Sequence, residues 1–306
     1  MIKNIYFIYP RAHRTTGSTV MRTFQAADIL KSYSTAEPLA IETRQITNLR
    51  TGLAWHIWCR TIKNQSLAVF CKDAIDRLPR KMLPSLQNRD IKIAVDYIDK
   101  SLDGFEFSGI DIHIASSSKQ AAFLKSLAID NKKIFELFHL GDQRLYNKDQ
   151  SKIQKKGIVY YGELQNTYIP EKLINLIEIM PYNGFTTEQD LQKLCSYKFL
   201  YCIRDPKQNR SVSLFKPTTK IMNSIALLTP PIVTLDMDGV INILGSEYPF
   251  MAKINSDEEI QRILNLAIND EQAYIKAVEI LKQCKKKYNP NTWSNNFLSM
   301  VKKIDV

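Results

Sequence analysis

Apolar residues in this chain gather in short β-type runs, with stretches of helical spacing between them from one end to the other. Residues 5–9 are a run of β-formers that stops at Pro10; a polar loop over 11–19 follows, and apolar positions between Val20 and Ser32 recur with a helical period. Strand, then a loop rich in Gly, Ser and Thr, then helix is the opening of a wound α/β sheet. Residues 91–97 predict a compact buried strand with Asp96 near its end, and 110–115 predict another. Behind the latter, Ser116-Ser117-Ser118 offers hydroxyls that cap the leading N–H groups of a helix over 119–127. Residues 134–139 give a further short strand before Gly141-Asp142.

Between residues 145 and 156 the periodicity stops and the chain turns polar and basic, the composition of a link. The expected division is an amino-terminal domain over 1–150 and a carboxyl-terminal domain over 151–306, each close to the ~150 residues of a common domain. A second series starts with a strand at 157–161, closed by Gly162. Pro170 suits the first turn of a helix reaching 179. Residues 187–194 predict a helix, 199–203 a strand, 218–228 a helix and 232–235 a strand entered through Pro230-Pro231. Amphipathic helices over 257–269 and 271–286 follow, then a last helix over 291–303 with Trp293 and Phe297 on one face. Two wound α/β lobes imply a ligand cleft at the carboxyl ends of their strands.

Composition narrows the class. Of the 306 residues, 44% are hydrophobic and 24% charged, the balance of a folded enzyme. No stretch reaches the roughly 18 apolar residues of a membrane-spanning helix. The apolar start has no small-residue cleavage site behind it and reads as a first strand, not a secretion signal. Five cysteines, odd in number and without a C-x-x-C pair, indicate a reducing, cytoplasmic setting, with no disulfide framework or zinc site expected. Lys and Arg number 42 against 31 Asp and Glu, a net +11 that attracts phosphate-bearing substrates, acidic headgroups or nucleic acid. The basic residues are spread along the chain, where a nucleic-acid arm would concentrate them.

The richest chemistry lies between residues 199 and 233. Arg204 stands at the carboxyl end of a buried strand, and the loop behind it carries Lys207 and Arg210. Lys216-Pro217-Thr218-Thr219-Lys220 then opens a helix. A helix start presents N–H groups and a partial positive charge, so Arg204, Lys216, Thr218, Thr219 and Lys220 form a candidate diphosphate cradle. Read blandly, Thr218 is a simple cap and the lysines are solvated.

Arg204, then Lys216-Pro217-x-x-Lys220-x-x-Asn223-x-x-Ala226, then Pro231-Ile232-Val233 resembles the carboxyl-lobe signature of the GT-B-fold glycosyltransferases. Val159-Tyr160-Tyr161-Gly162, the helix start at Ser256 and Trp293 near the end extend the resemblance over the second lobe. It implies two Rossmann-like wound α/β domains facing a central cleft, with the last helix crossing back to the first lobe. It also implies an enzyme that moves a sugar from a nucleotide-diphosphate donor to a glycan or lipid-linked glycan in bacterial surface-polysaccharide synthesis. Arg204, Lys216 and Lys220 then become diphosphate contacts and Asn223 a ribose contact. Asp238 falls in the loop where the family places donor-sugar contacts. The paired glutamates of many retaining members are absent, since Phe215 and Asn223 stand in their slots, and Thr229-Pro230-Pro231 replaces the usual Gly-x-Pro. Inversion or retention is therefore not carried over.

Stabilising a leaving diphosphate needs positioned cations and N–H groups and no metal, so neither metal nor cofactor is expected beyond the co-substrate itself. Asp236-Met237-Asp238 has the letters of a metal-binding run but falls in that donor loop. For the base that deprotonates an acceptor hydroxyl, the candidates are His13 and Asp96, each with a plainer reading as a loop residue or a turn carboxylate. His56 and His139 rank below them. Basic and aromatic residues of the first lobe, Trp55, Trp58, Arg60, Lys63, Arg77, Arg80 and Lys81, suggest a peripheral contact with an anionic inner membrane face. The competing readings are a nucleic-acid-binding or -modifying protein, a sugar-nucleotide epimerase or hydrolase, and a non-catalytic binder of the same fold.

Overall fold

The computed structural model describes residues 1–11, 16–34, 39–49, 51–127, 129–148, 153–184, 186–205, 215–216 and 218–304. The chain divides into two compact units: Met1–Phe138 with Ser211–Pro217 and Pro290–Val306 form unit 1, and His139–Arg210 with Thr218–Asn289 form unit 2.

Unit 1 is built on a six-stranded parallel sheet. Its strands are β1 (Asn4–Pro10), β2 (Ala40–Ile46), β3 (Ser66–Cys71), β4 (Ile91–Asp96), β5 (Ile112–Ala115) and β6 (Ile134–Glu136), in the order β2-β1-β3-β4-β5-β6. Every residue of β1 and β3 is buried, as expected of inner strands covered on both faces. The segments Gly17–Thr19, Val20–Gln25 and Ala26–Tyr33 run on as one helix, α1, whose middle stretch has π-type hydrogen bonding and buries Arg22 and Thr23. Next come α2 (Gly52–Arg60) and α3 (Ser118–Ser126); Ser117 caps α3 by accepting from the Gln120 N–H. The carboxyl-terminal helix Pro290–Ile304 belongs to this unit, as the resemblance implies. It buries Trp293 and Phe297, which stack at 5.4 Å, and Phe297 sits 5.6 Å from Phe7 of β1.

Unit 2 holds five parallel strands: β7 (Lys156–Tyr161), β8 (Ile177–Met180), β9 (Tyr197–Tyr201), β10 (Pro231–Thr234) and β11 (Met251–Ala252), in the order β11-β10-β9-β7-β8. Its helices include α4 (Glu188–Leu194), α5 (Thr219–Leu227), α6 (Asp257–Asn269) and α7 (Glu271–Lys287). Thr187 and Asp190 close a reciprocal capping box at the start of α4.

Two expectations change. Pro170 does not open a helix to 179; a 3-10 turn, Glu171–Leu176, gives way to β8. Ile177 and Met180 are buried as a strand against β7, with Ile158 opposite Ile177, and that pairing overrides the proline signal. The units divide at Phe138 and His139, ahead of the expected 150/151 boundary. The reason is local: Gly141, Asp142 and the short helix Gln143–Tyr146 pack onto α5, so this stretch is part of unit 2 before the polar link begins. Cys202 is a buried core residue, as its apolar surroundings suggest.

Candidate functional site

In unit 2 the chain lays down β7, adds β8 on one side and returns to place β9 on the other, so the order reverses between β7 and β9. Wound sheets bind ligands beyond the carboxyl ends of strands at such a reversal. Gly162 leaves β7 there, Arg204 follows β9, and α5 begins soon after in the chain.

Lys220, in the first turn of α5, lies across these strand ends. Its ammonium is 4.5 Å from the centre of the Tyr160 ring and donates to the Tyr160 hydroxyl at 3.2 Å. The Tyr160 hydroxyl itself donates to the Glu163 carbonyl at 2.6 Å. A Cβ at Gly162 would stand 3.1 Å from both Lys220 Cε and Nζ, and the φ of +148° there strains any other residue. Glycine is what lets the lysine lie flat on the strand exit. The next turn of α5 is fixed by a second glycine: a Cβ on Gly141 would meet Asn223 Oδ1 at 2.7 Å and the Met222 carbonyl carbon and oxygen at 2.8 Å. Asn223 Oδ1 accepts from the Asp142 N–H at 2.8 Å. The side chain read as a ribose contact therefore holds the 141–142 turn.

Thr218 precedes α5, is buried and makes no side-chain cap; the first intrahelical bond runs from the Met222 N–H to the Thr218 carbonyl at 3.1 Å. The N–H groups ahead of that bond form the positive end of the helix. At the other end, Lys285 donates to the Ala226 carbonyl at 2.7 Å, and Lys155 donates to the Leu227 carbonyl at 2.9 Å and to Thr229 Oγ1 at 2.7 Å. Cations at a helix carboxyl end are favourable. Both lysines are nevertheless depressed by burial, Lys155 to about 8. Below pH 8 the folded and unfolded chains both carry the Lys155 proton. Between about 8 and the ordinary lysine value of 10.5 the unfolded chain alone retains it, so folding stability gains as pH rises through that window. The increment, about 1 kcal/mol after solvent screening, is expected in wild type and absent from Lys155→Met. Urea unfolding of both proteins at pH 7.5 and 10 checks this.

Arg204 is half-buried, and its carbonyl accepts from Asn255 Nδ2 at 3.1 Å. The Ile203 carbonyl accepts from Thr167 Oγ1 at 2.8 Å. These two bonds fix the backbone that aims Arg204. Asn255 has no motif around it, and nothing local in the sequence marks it. Asn255→Ala is expected to cost about 1 kcal/mol in stability and to weaken ligand binding that depends on Arg204, read as a smaller thermal shift with nucleoside diphosphate. Asp238 is buried beyond β10, and its Oδ2, like the Thr234 hydroxyl, has no hydrogen-bond partner. Asp236, two residues before it, is exposed, so the two carboxylates do not share one environment. Among the described residues no three His, Cys, Asp or Glu side chains converge as metal ligands would.

The remaining candidates fall elsewhere. Lys216 belongs to unit 1, where the neighbouring Phe215 is buried 5.2 Å from the Phe123 ring. The run read as one cradle is thus divided in the chain, Lys216 falling in unit 1 and Thr218, Thr219 and Lys220 in unit 2. Asp96 closes β4 and is buried; its Oδ2 accepts from Arg22 Nε at 2.6 Å. Arg22 Nη1 also donates to the carbonyls of Leu137 and Phe138. His13, Lys207, Arg210 and Pro217 lie outside the described residues. His56 is exposed on α2, and His139 is buried with Nδ1 2.7 Å from the Leu140 carbonyl oxygen.

No protein-family model matches the chain, and no curated protein matches it in sequence. Solved structures do match over its whole length. HepE of Anabaena in complex with UDP-glucose aligns at a TM-score of 0.65, over 98% of this chain and 99% of that one, at 11% identity. A glycosyltransferase of Rickettsia africae aligns at 0.67, over 99% and 98%, at 12% identity. The lipopolysaccharide outer core galactosyltransferase WaaB, in its apo form, aligns at 0.63, over 97% and 99%, at 12% identity. The chain has the GT-B fold of these proteins.

Proposed function

We propose that this protein is a glycosyltransferase that takes a sugar from a nucleotide-diphosphate donor held on unit 2 and passes it to a glycan or lipid-linked glycan. The observation that carries the reading is Lys220, laid on Gly162 at the strand reversal at the head of a helix whose far end is neutralised by Lys155 and Lys285. Solved structures of the same fold that contain UDP or UDP-glucose support it.

As the glycosidic bond breaks, negative charge gathers on the leaving diphosphate. Lys220, Arg204 and the N–H groups at the start of α5 supply fixed positive charge for it. Thr218 and Thr219 offer hydroxyls to the phosphate oxygens, and Asp238 accepts a donor-sugar hydroxyl through its unpartnered Oδ2. His13 takes the acceptor proton. Asp96, already paired with Arg22, shapes the first lobe and does not act as the base. No metal takes part in this scheme. The biological setting that fits is assembly of a bacterial surface polysaccharide on the cytoplasmic side.

A thermal-shift screen of nucleoside diphosphates and sugar nucleotides, followed by assay of sugar transfer and of donor hydrolysis, tests the reading. A ligand that binds the folded chain raises its midpoint by mass action. One nucleotide family shifting the midpoint, with turnover lost in His13→Ala, is the expected result. No shift with any nucleotide, together with salt-sensitive nucleic-acid binding, would replace this reading with the nucleic-acid one.

A further inference from the structure

Helix α2 presents an unusual outer face. Leu53 and Ile57 are 71% and 58% exposed, one turn apart, and His56 and Arg60 lie on the same side. Among the large apolar residues of this helix only Trp55 turns fully inward, and Trp58 is half-buried with its indole N–H donated to the Gln45 carbonyl. The stretch of chain that includes this helix carries charge of one sign, with Glu42 just ahead of it paired to Arg44. From Thr43 to Lys72 the chain carries Arg44, Arg50, Arg60, Lys63 and Lys72 and no Asp or Glu. Lys63, just beyond α2, is exposed, as is Lys81 on the turn Arg80–Met82 that packs on the helix. The acids nearest in sequence after that stretch, Asp73 and Asp76, pair with Lys100.

We propose that this face docks on the surface of a bilayer containing anionic lipid, with Leu53 and Ile57 entering the headgroup boundary and Arg60, Lys63 and Lys81 facing lipid phosphates. Exposed aliphatic side chains ringed by cations suit that occupant, because the apolar tips need a hydrocarbon boundary and the cations a negative surface. Of the aromatic residues in the patch expected from sequence, Trp55 is buried and Trp58 half-buried, which leaves Leu53 and Ile57 as the side chains placed to insert. The inference stands apart from the transferase reading, since it uses no residue of the donor site.

Flotation with vesicles of phosphatidylcholine alone or mixed with phosphatidylglycerol tests it, using the full chain at low salt. Leu53→Ser with Ile57→Ser keeps the net charge, so it separates docking by this face from general attraction of a +11 protein. The double variant is expected to lower partitioning onto anionic vesicles by about tenfold, with an unchanged melting midpoint and an unchanged thermal shift with nucleoside diphosphate. Arg60→Glu with Lys63→Glu is expected to lower it similarly, and zwitterionic vesicles are expected to bind little of any form. Equal partitioning of wild type and Leu53→Ser/Ile57→Ser overturns the proposal. So does a concentration-dependent dimer that the same variant abolishes, which would assign the face to a second copy of the chain. A lost nucleotide shift in wild type with intact flotation would sink the donor-site reading alone.

Discussion

Lys220→Ala is expected to weaken nucleoside-diphosphate binding by roughly 30- to 150-fold, the equivalent of about 2–3 kcal/mol for a charge-assisted contact. The ammonium is held beside the Tyr160 ring, at the strand reversal and in the first turn of α5, so the contact is paid for in advance by packing rather than by ordering a flexible chain. Isothermal titration against the nucleoside diphosphate selected by the thermal-shift screen measures it. Lys220→Arg should recover only part of the loss, because a guanidinium is bulkier where a Cβ on Gly162 would already come within 3.1 Å of the side chain. The ligand-free stability should fall by no more than the cation–aromatic contact warrants, about 1 kcal/mol. Undiminished affinity in Lys220→Ala would mean the anion sits elsewhere.

The largest stability effect is expected at Arg22 and Asp96. Both side chains are buried and joined at 2.6 Å, and Arg22 also serves two backbone carbonyls. Removing either partner leaves a buried charge without its counterpart, a loss of about 3–5 kcal/mol. Replacing both by apolar side chains of similar volume, Arg22→Met with Asp96→Leu, should recover most of that loss, although the Leu137 and Phe138 carbonyls would still lack a donor. Urea unfolding of the two single variants and the double variant closes the cycle. If Asp96→Asn left the protein fully stable yet abolished transfer, the carboxylate would have to be restored to the role of base.

What was legible from the sequence was what short-range patterning controls. β1 shows itself because five apolar β-formers precede Pro10, and α3 because Ser117 caps it. Helix α5 was recognisable because Pro217, the threonines and the lysines sit together at its start. What depends on distant pairing was hidden. β8 is a strand only because β7 lies beside it, and Pro170 points the other way. Arg22 and Asp96 are 74 positions apart, and Asn223 reaches Asp142 across 81. No local motif marks such partners, so Asp96 looked available and Asn223 looked ready for ligand. Phe215 was similarly opaque: its place in a glutamate slot gave no hint that it is a core residue of the other unit.

Unit 1 is assembled from three separate lengths of chain, the last beginning at Pro290. During synthesis, β1 is made long before Phe297, which packs on Phe7. Unit 1 therefore cannot finish its core until the segment that begins at Pro290 has been made, whereas Thr218–Asn289 completes unit 2 beforehand. The order of completion runs opposite to the order of synthesis, and a chain cut at residue 289 would lose part of the first unit's core while keeping all of the second unit's sequence.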